Sequence, residues 1–209
     1  YVGELGWEIY VPTDMAGHAF ETLWEAGQDV GAKLCGMHMM DSCRIEKAFR
    51  HFGHDITCED NVVDAGLSFA VDMSKPDFIG KGAVADRKES GPHNRMVQFL
   101  LEDAEPLLFH NEPIVRDGEY VGYLTSGNYG HTLGGAIGLG YVPCPGEKPD
   151  EVLASSYEIE VAGTRVPAAA SLRPLYAPKS ERARACAICS AIASAIRSAP
   201  FGINAVSIV

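Results

Sequence analysis

From Arg95 to Ala168 the chain is written almost entirely in short strands, and this stretch constrains the fold more than any other. Met96 to Leu101 is one apolar run. Asp117-Gly118 lies between Ile114-Val115-Arg116 and Glu119-Tyr120-Val121, and an Asp-Gly pair supplies the two positive φ angles of a tight hairpin turn. Ala136 to Val142 reads as a further strand. Tyr157, Ile159 and Val161 alternate with acids, turn at Gly163-Thr164 and return through Val166 and Ala168. Short strands joined by turns predict a small barrel or sandwich. Gly127, Gly130, Gly134, Gly135, Gly138 and Gly140 are dense enough to suggest a phosphate loop. Such a loop must open a helix N-terminus, and here a strand follows, so these glycines read as turns and barrel corners.

The first part of the chain has a mixed texture, and the fold class is therefore α+β. Trp7, Ile9 and Val11 alternate with Glu8 and Tyr10, as a half-buried strand would. Thr13 or Asp14 is placed to cap a helix reaching Gly27, with Ala16, Ala19, Phe20, Leu23 and Trp24 as its apolar stripe. A second helix is expected from Met37 to Phe52, with Ile45, Phe49 and Phe52 on one stripe and Met37, Met40, Arg44 and Ala48 on its neighbour. Arg44 then lies partly among apolar side chains and needs a partner, because an unpaired buried charge costs several kcal/mol. Residues 53–90 hold glycines, acids and short apolar pieces. The expected division is 1–90, 91–178 and an Ala- and Ser-rich, weakly amphipathic tail over 179–209, with the boundary near Lys88 to Asn94.

Composition excludes some functions. A net charge of −11 argues against nucleic acid, whose phosphates require clustered Lys and Arg. It leaves open a small anionic ligand held by a single Arg. No apolar run reaches the 18 or more residues of a membrane span, and no secretory signal opens the chain. Six cysteines, at 35, 43, 58, 144, 186 and 189, are too sparse for a disulfide scaffold and point to a reducing compartment, with most thiols packing as small apolar groups. His51, His54 and Cys58 match no standard metal spacing, so no metal is expected. Cys186-x-x-Cys189 sits in the Ala-rich tail rather than at the helix start a redox pair needs.

Two polar residues remain as candidates. Glu4 lies in Tyr1-Val-Gly-Glu-Leu-Gly-Trp-Glu8, between two glycines and just before a strand, with no initiator Met ahead of it; the chain reads as an N-terminally truncated fragment. Glu4 is either a ligand-reading carboxylate or a solvated acid in a turn. Arg44 is either part of a polar site or the partner of Asp41 on its own helix.

Taken together these blocks resemble the glycine-cleavage T-protein (aminomethyltransferase) superfamily. Tyr1-Val-Gly-Glu4-Leu-Gly-Trp-Glu8 resembles its Tyr-x-Gly-Glu-x-Gly-x-Glu motif, Asp41-Ser-Cys-Arg44-Ile-Glu46 its Asp-Ser-Leu-Arg-x-Glu helix, and Thr125-Ser126-Gly127 with Gly140-Tyr141-Val142 its barrel signature. The run from Arg44 through His54-Asp55, then Asp64-Ala-Gly-Leu-Ser-Phe-Ala-Val and Asp77-Phe-Ile-Gly-Lys, is similar to the folate-binding C-terminal region of sarcosine and dimethylglycine dehydrogenases. The iron–sulfur assembly branch carries a Lys-Gly-Cys-Tyr-x-Gly-Gln-Glu block that this chain lacks. Glu105-Pro-Leu-Leu-Phe-His-Asn-Glu-Pro113 lacks the Arg that T-proteins use near the folate tail, which favours the dehydrogenase branch.

The resemblance implies a small antiparallel β-barrel as the form of the strand-rich part. It implies tetrahydrofolate as the ligand, with Glu4 reading the pterin and Arg44 completing the cleft; Tyr1 and Trp7 wall that cleft or pack in a core. It implies an N-methyl group oxidised at FAD in an N-terminal domain missing here, and an essential aspartate upstream of Glu4, so no catalytic residue is assigned in this chain. The fragment alone is expected to be inactive. Other subunits or the missing domain are the expected partners, and the cytoplasm, or the mitochondrial matrix in a eukaryote, the expected location. The alternatives are a T-protein or related folate-dependent demethylase, and a non-catalytic folate-binding or subunit-contact module.

Overall fold

The computed structural model describes residues 1–4 and 6–179, and the backbone of 205–208. In chain order the strands are β1 (Trp7–Tyr10), β2 (Asn94–Leu101), β3 (Pro113–Arg116), β4 (Glu119–Gly130), β5 (Gly135–Pro143), β6 (Tyr157–Val161), β7 (Thr164–Ser171) and β8 (Ala205–Ile208). The helices are α1 (Ala16–Gln28), α2 (Met37–Glu46), α3 (Lys81–Ser90) and α4 (Pro149–Ala154). The chain divides into two units, Tyr1–Asp41 with 179–209, and Ser42–Pro178.

In the first unit β1 pairs antiparallel with β8, Trp7 opposite Ile208. The expected helix starts differently. Thr13–Met15 is a 3-10 turn following Pro12, and neither Thr13 nor Asp14 caps it or α1 with its side chain. Backbone bonding from the Met15 N–H to the Pro12 carbonyl does that work. Of the expected apolar stripe only Ala19 is buried, while Phe20 and Leu23 are 52% and 40% exposed.

In the second unit six antiparallel strands close a barrel in the order β2-β5-β4-β3-β6-β7, the first of the two forms that the strand-rich texture allows. Asp117 and Gly118 take φ of 52° and 90° in the β3–β4 hairpin, the left-handed pair that matches the twist of the strands. The β6–β7 turn lies one residue earlier than expected: Ala162 and Gly163 carry its positive φ angles.

Val97, Phe99 and Leu101 of β2 point into the barrel core with Leu124, Ile114 and Ile159. Met96 of β2, with Ile137 and Leu139 of β5, faces outward to pack on Ile45 and Ala48. This wall is buried on both faces, which is why β2, interrupted only by Gln98 within 96–101, and β5 read as near-continuous apolar runs rather than alternating ones. Most of the glycines expected at turns lie within strands instead. A Cβ on Gly140 would stand 2.8 Å from the Tyr123 carbonyl oxygen, and one on Gly138 2.6 Å from Leu124 Cδ1. Their bare backbones let β4 and β5 approach with Leu124 filling the space.

Two helices have no counterpart in the sequence pattern. α3 is mostly polar and buries no residue; its end, Lys88–Ser90, occupies the stretch expected to be linker. α4 starts with Pro149 and a carboxylate of Glu151 that accepts the Lys148 N–H at 2.6 Å. The expected tail helix and the Cys186–Cys189 pair lie outside the described residues. Among the described cysteines, Cys144 is buried in the barrel core, while Cys35 and Cys58 are exposed and do not pack as expected.

Arg116 grips Glu147 bidentately, with contacts of 3.1 and 2.5 Å. The hydrogen bonds from Arg116 hold the Glu147 carboxyl below its ordinary value. A carboxyl with a lowered folded-state pKa contributes stability above its unfolded value, about 4.3, and loses that contribution as pH falls through the folded one. Glu147→Gln is therefore expected to lower stability by about 0.5–1 kcal/mol at pH 7, a difference that shrinks as urea titrations are taken to progressively lower pH below about 4.3.

Candidate functional site

The polar centre of the second unit begins with how α2 ends. The helix stops at Glu46, short of the expected Phe52. Ala48 takes a left-handed φ of 52°, the Ala48 N–H donates to the Ile45 carbonyl and the Phe49 N–H to the Arg44 carbonyl. This is a Schellman ending, closed by alanine where glycine is usual, so no glycine marks it in advance. The backbone then turns through 51–56, with the Asp55 N–H donating to the His51 carbonyl and the His51 N–H to Asp55 Oδ2 at 2.8 Å. That turn delivers Asp55 beside α2.

Arg44 is 3% exposed. Its Nη1 donates to Asp55 Oδ2 at 2.5 Å and to the Phe49 carbonyl at 3.2 Å, and its Nη2 to Ser126 Oγ at 2.8 Å. Asp55 is 1% exposed and also accepts from Thr125 Oγ1. The partner that Arg44 requires is thus an acid eleven residues on, in a loop.

Thr125 and Ser126 are neighbours on β4, and neighbours in a regular strand face opposite ways. Here the β4–β5 register steps from Leu124↔Gly140 to Ser126↔Leu139, leaving Thr125 as an extra residue. Such a bulge re-aims side chains. Leu124 goes to the barrel core, and both hydroxyls that follow reach the Arg44–Asp55 pair.

The rest of α2 is anchored by the same wall. Ser42 Oγ donates to the Tyr129 carbonyl at 2.6 Å. Glu46 Oε1 accepts the Thr132 and Leu133 N–H groups at 2.7 and 2.9 Å. The buried Gln98 amide donates to the Ile45 and Glu46 carbonyls and accepts the Leu175 N–H. Thr125 also lines a cavity of about 400 Å³, whose walls include Asp60, Asp64, Arg87 and Tyr141. The Tyr141 hydroxyl is buried without a hydrogen-bond partner, and burial raises its pKa.

Glu4 belongs to the first unit and Arg44 to the second. Glu4 is half-buried and follows Gly3, whose φ of 73° places it in the left-handed region that favours glycine; this explains the Gly-Glu pairing in the motif. Tyr1 is 45% exposed. Sequence reasoning alone misses Asp55, Ser126 and Gln98 as site-building residues. The motifs that contain Asp55 and Ser126 are visible, but nothing local says that they meet. The His51 and His54 rings stack at 4.6 Å, and no three His, Cys, Asp or Glu side chains among the described residues are grouped to hold a metal.

Residues 1–75 match the family model described as the GCVT N-terminal domain, and residues 94–177 that of the glycine cleavage T-protein C-terminal barrel domain. The chain belongs to the glycine-cleavage T-protein superfamily. Within that superfamily it is 46% identical over 185 residues to 4-methylaminobutanoate oxidase (formaldehyde-forming) of Paenarthrobacter nicotinovorans, covering 88% of this chain and 22% of that protein. It is 35% identical to mitochondrial dimethylglycine dehydrogenase of Mus musculus, again over 88% of this chain, and 21% of the relative. The chain thus spans about a fifth of the length of these two relatives. The fold matches the crystal structure of glycine cleavage system aminomethyltransferase T from Bartonella henselae, with a TM-score of 0.67 at 24% identity over 78% of this chain and 45% of that one.

Proposed function

We propose that this chain is the folate-binding C-terminal part of a sarcosine/dimethylglycine dehydrogenase-like enzyme and serves one-carbon transfer to tetrahydrofolate, forming methylene-tetrahydrofolate. The observation that carries the reading is the Arg44 guanidinium, buried and locked by Asp55 and Ser126 within a T-protein superfamily fold. A guanidinium held in one plane is a preorganised donor for a planar, acceptor-rich ligand. Glu4 is proposed separately as a pterin-reading carboxylate, since a carboxylate accepts two parallel bonds from an amino group and a ring N–H. The superfamily aspartate that acts on the folate nitrogen belongs upstream of Glu4. FAD would supply the oxidation of an N-methyl group in the whole protein, and tetrahydrofolate would take up the product as iminium or formaldehyde.

The 46% identity to an oxidase named formaldehyde-forming supports an N-methylamine oxidation in the whole protein. The proposed domain division is 1–90 for the end of the folate-binding domain and 91–178 for the barrel. Among the described residues no helix is long and apolar enough to cross a membrane, and a relative named as mitochondrial supports a matrix location in a eukaryote.

Calorimetric titration of the native full-length protein with tetrahydrofolate tests the reading. Glu4→Ala and Arg44→Met should each weaken binding about ten- to a hundredfold, the loss of one buried charge-assisted contact. Equal affinity of native protein and both variants would sink the assignment.

A further inference from the structure

The Arg44 guanidinium does not choose its own orientation. Every hydrogen bond that Asp55 accepts is directed at holding this carboxylate in one pose: the His51 N–H and Arg44 Nη1 on Oδ2, the Thr125 hydroxyl on Oδ1. Both hydroxyls that surround the pair come from one β-bulge, where a regular strand would send one of them the other way. The Phe49 carbonyl, presented by the left-handed turn at Ala48, adds a further acceptor to Nη1. Four segments therefore converge on a single guanidinium plane: the α2 terminus, the 51–56 turn, the bulged β4 and the Phe49 carbonyl.

From this convergence we infer that Asp55, seconded by Thr125, is the positioning residue that aims Arg44 at the bound folate. The inference rests on the proposed folate reading. Asp55 touches no ligand in this scheme; it acts through Arg44 alone. Removing its charge weakens one of the bonds that set the guanidinium plane and lets the group shift from its aim. A general packing role for Asp55 makes a different forecast, because it would act whether or not Arg44 is present.

A mutant cycle on the native full-length protein separates the two, with tetrahydrofolate affinity read by calorimetry below each variant's unfolding range. Asp55→Asn should weaken binding about tenfold and Thr125→Val about threefold. Neither should weaken it further in an Arg44→Met background, since residues acting through one another are non-additive. Native affinity in Asp55→Asn, or a loss that persists undiminished in the Arg44→Met background, overturns the positioning role. If Asp55→Asn fails to fold, Thr125→Val decides alone: a loss that vanishes with Arg44→Met supports the role, and native affinity refutes it. Native affinity in Arg44→Met itself overturns the folate reading and this inference with it. A loss in Arg44→Met beside native affinity in Asp55→Asn overturns the positioning role only.

Discussion

Asp55→Ala should destabilise the barrel unit by about 3–5 kcal/mol, the cost of breaking a buried ion pair from one side. The Arg44 and Asp55 side chains are 3% and 0% exposed, so water does not replace the missing partner. The substitution removes the carboxylate that faces Arg44 and, with it, the acceptor of the His51 N–H and the Thr125 hydroxyl. Both tryptophans, Trp7 and Trp24, belong to the first unit, so tryptophan fluorescence would miss the event. Urea unfolding followed by far-UV circular dichroism is the appropriate measurement. The double variant Arg44→Met/Asp55→Leu should lose less than the sum of its single substitutions, because it leaves no orphaned charge. A loss below about 1 kcal/mol in Asp55→Ala, the range of exposed pairs, would show that the pair is solvated.

Gln98→Leu should cost about 1–3 kcal/mol, although leucine is apolar and similar in size. The Gln98 amide is 2% exposed. It donates to the Ile45 carbonyl at 2.6 Å and the Glu46 carbonyl at 3.2 Å, and accepts the Leu175 N–H at 2.8 Å. The two carbonyls belong to the end of α2, and each has a second donor, the Ala48 N–H on Ile45 and the Tyr176 N–H on Glu46. Losing the amide leaves the part-buried Leu175 N–H without its acceptor, at roughly 1–3 kcal/mol. Hydrogen exchange gives a local readout: the Leu175 amide should exchange faster in the variant while Val97 and Phe99, deep in the barrel, keep their protection relative to global stability. Unchanged exchange at Leu175 would count against the bond.

The two substitutions differ in what they say about the site. Gln98 fixes where α2 ends against the barrel. Asp55 fixes where the Arg44 side chain points once α2 is there. The first is a scaffold contact and the second bears on ligand recognition, which is why the folate titrations above concern Asp55 and not Gln98.

Much of the barrel is legible because its signals are local. Asp117-Gly118 writes its own hairpin, and the runs at 96–101 and 136–142 read as strands. The same locality explains the misses. α3 has no apolar face to betray it, and the pattern makes α2 six residues too long because Ala48, not a glycine, takes the left-handed turn.

What the sequence by itself determined is the set of strands, the need of Arg44 for a buried partner, and the glycine-framed Glu4 motif. These follow from periodicity, turn chemistry and the cost of an unpaired charge, all readable within a few residues. Only the tertiary structure decided who that partner is. Asp55 lies eleven residues from Arg44 in a loop without periodicity, and Thr125 and Ser126 lie 70 residues from Asp55 and 82 from Arg44 respectively. They meet because the closed barrel packs its β2–β5–β4 wall on α2, and because one extra residue at Thr125 turns two consecutive hydroxyls to the same buried pair. A bulge is a property of two strands in register, and one strand's residues do not encode it alone.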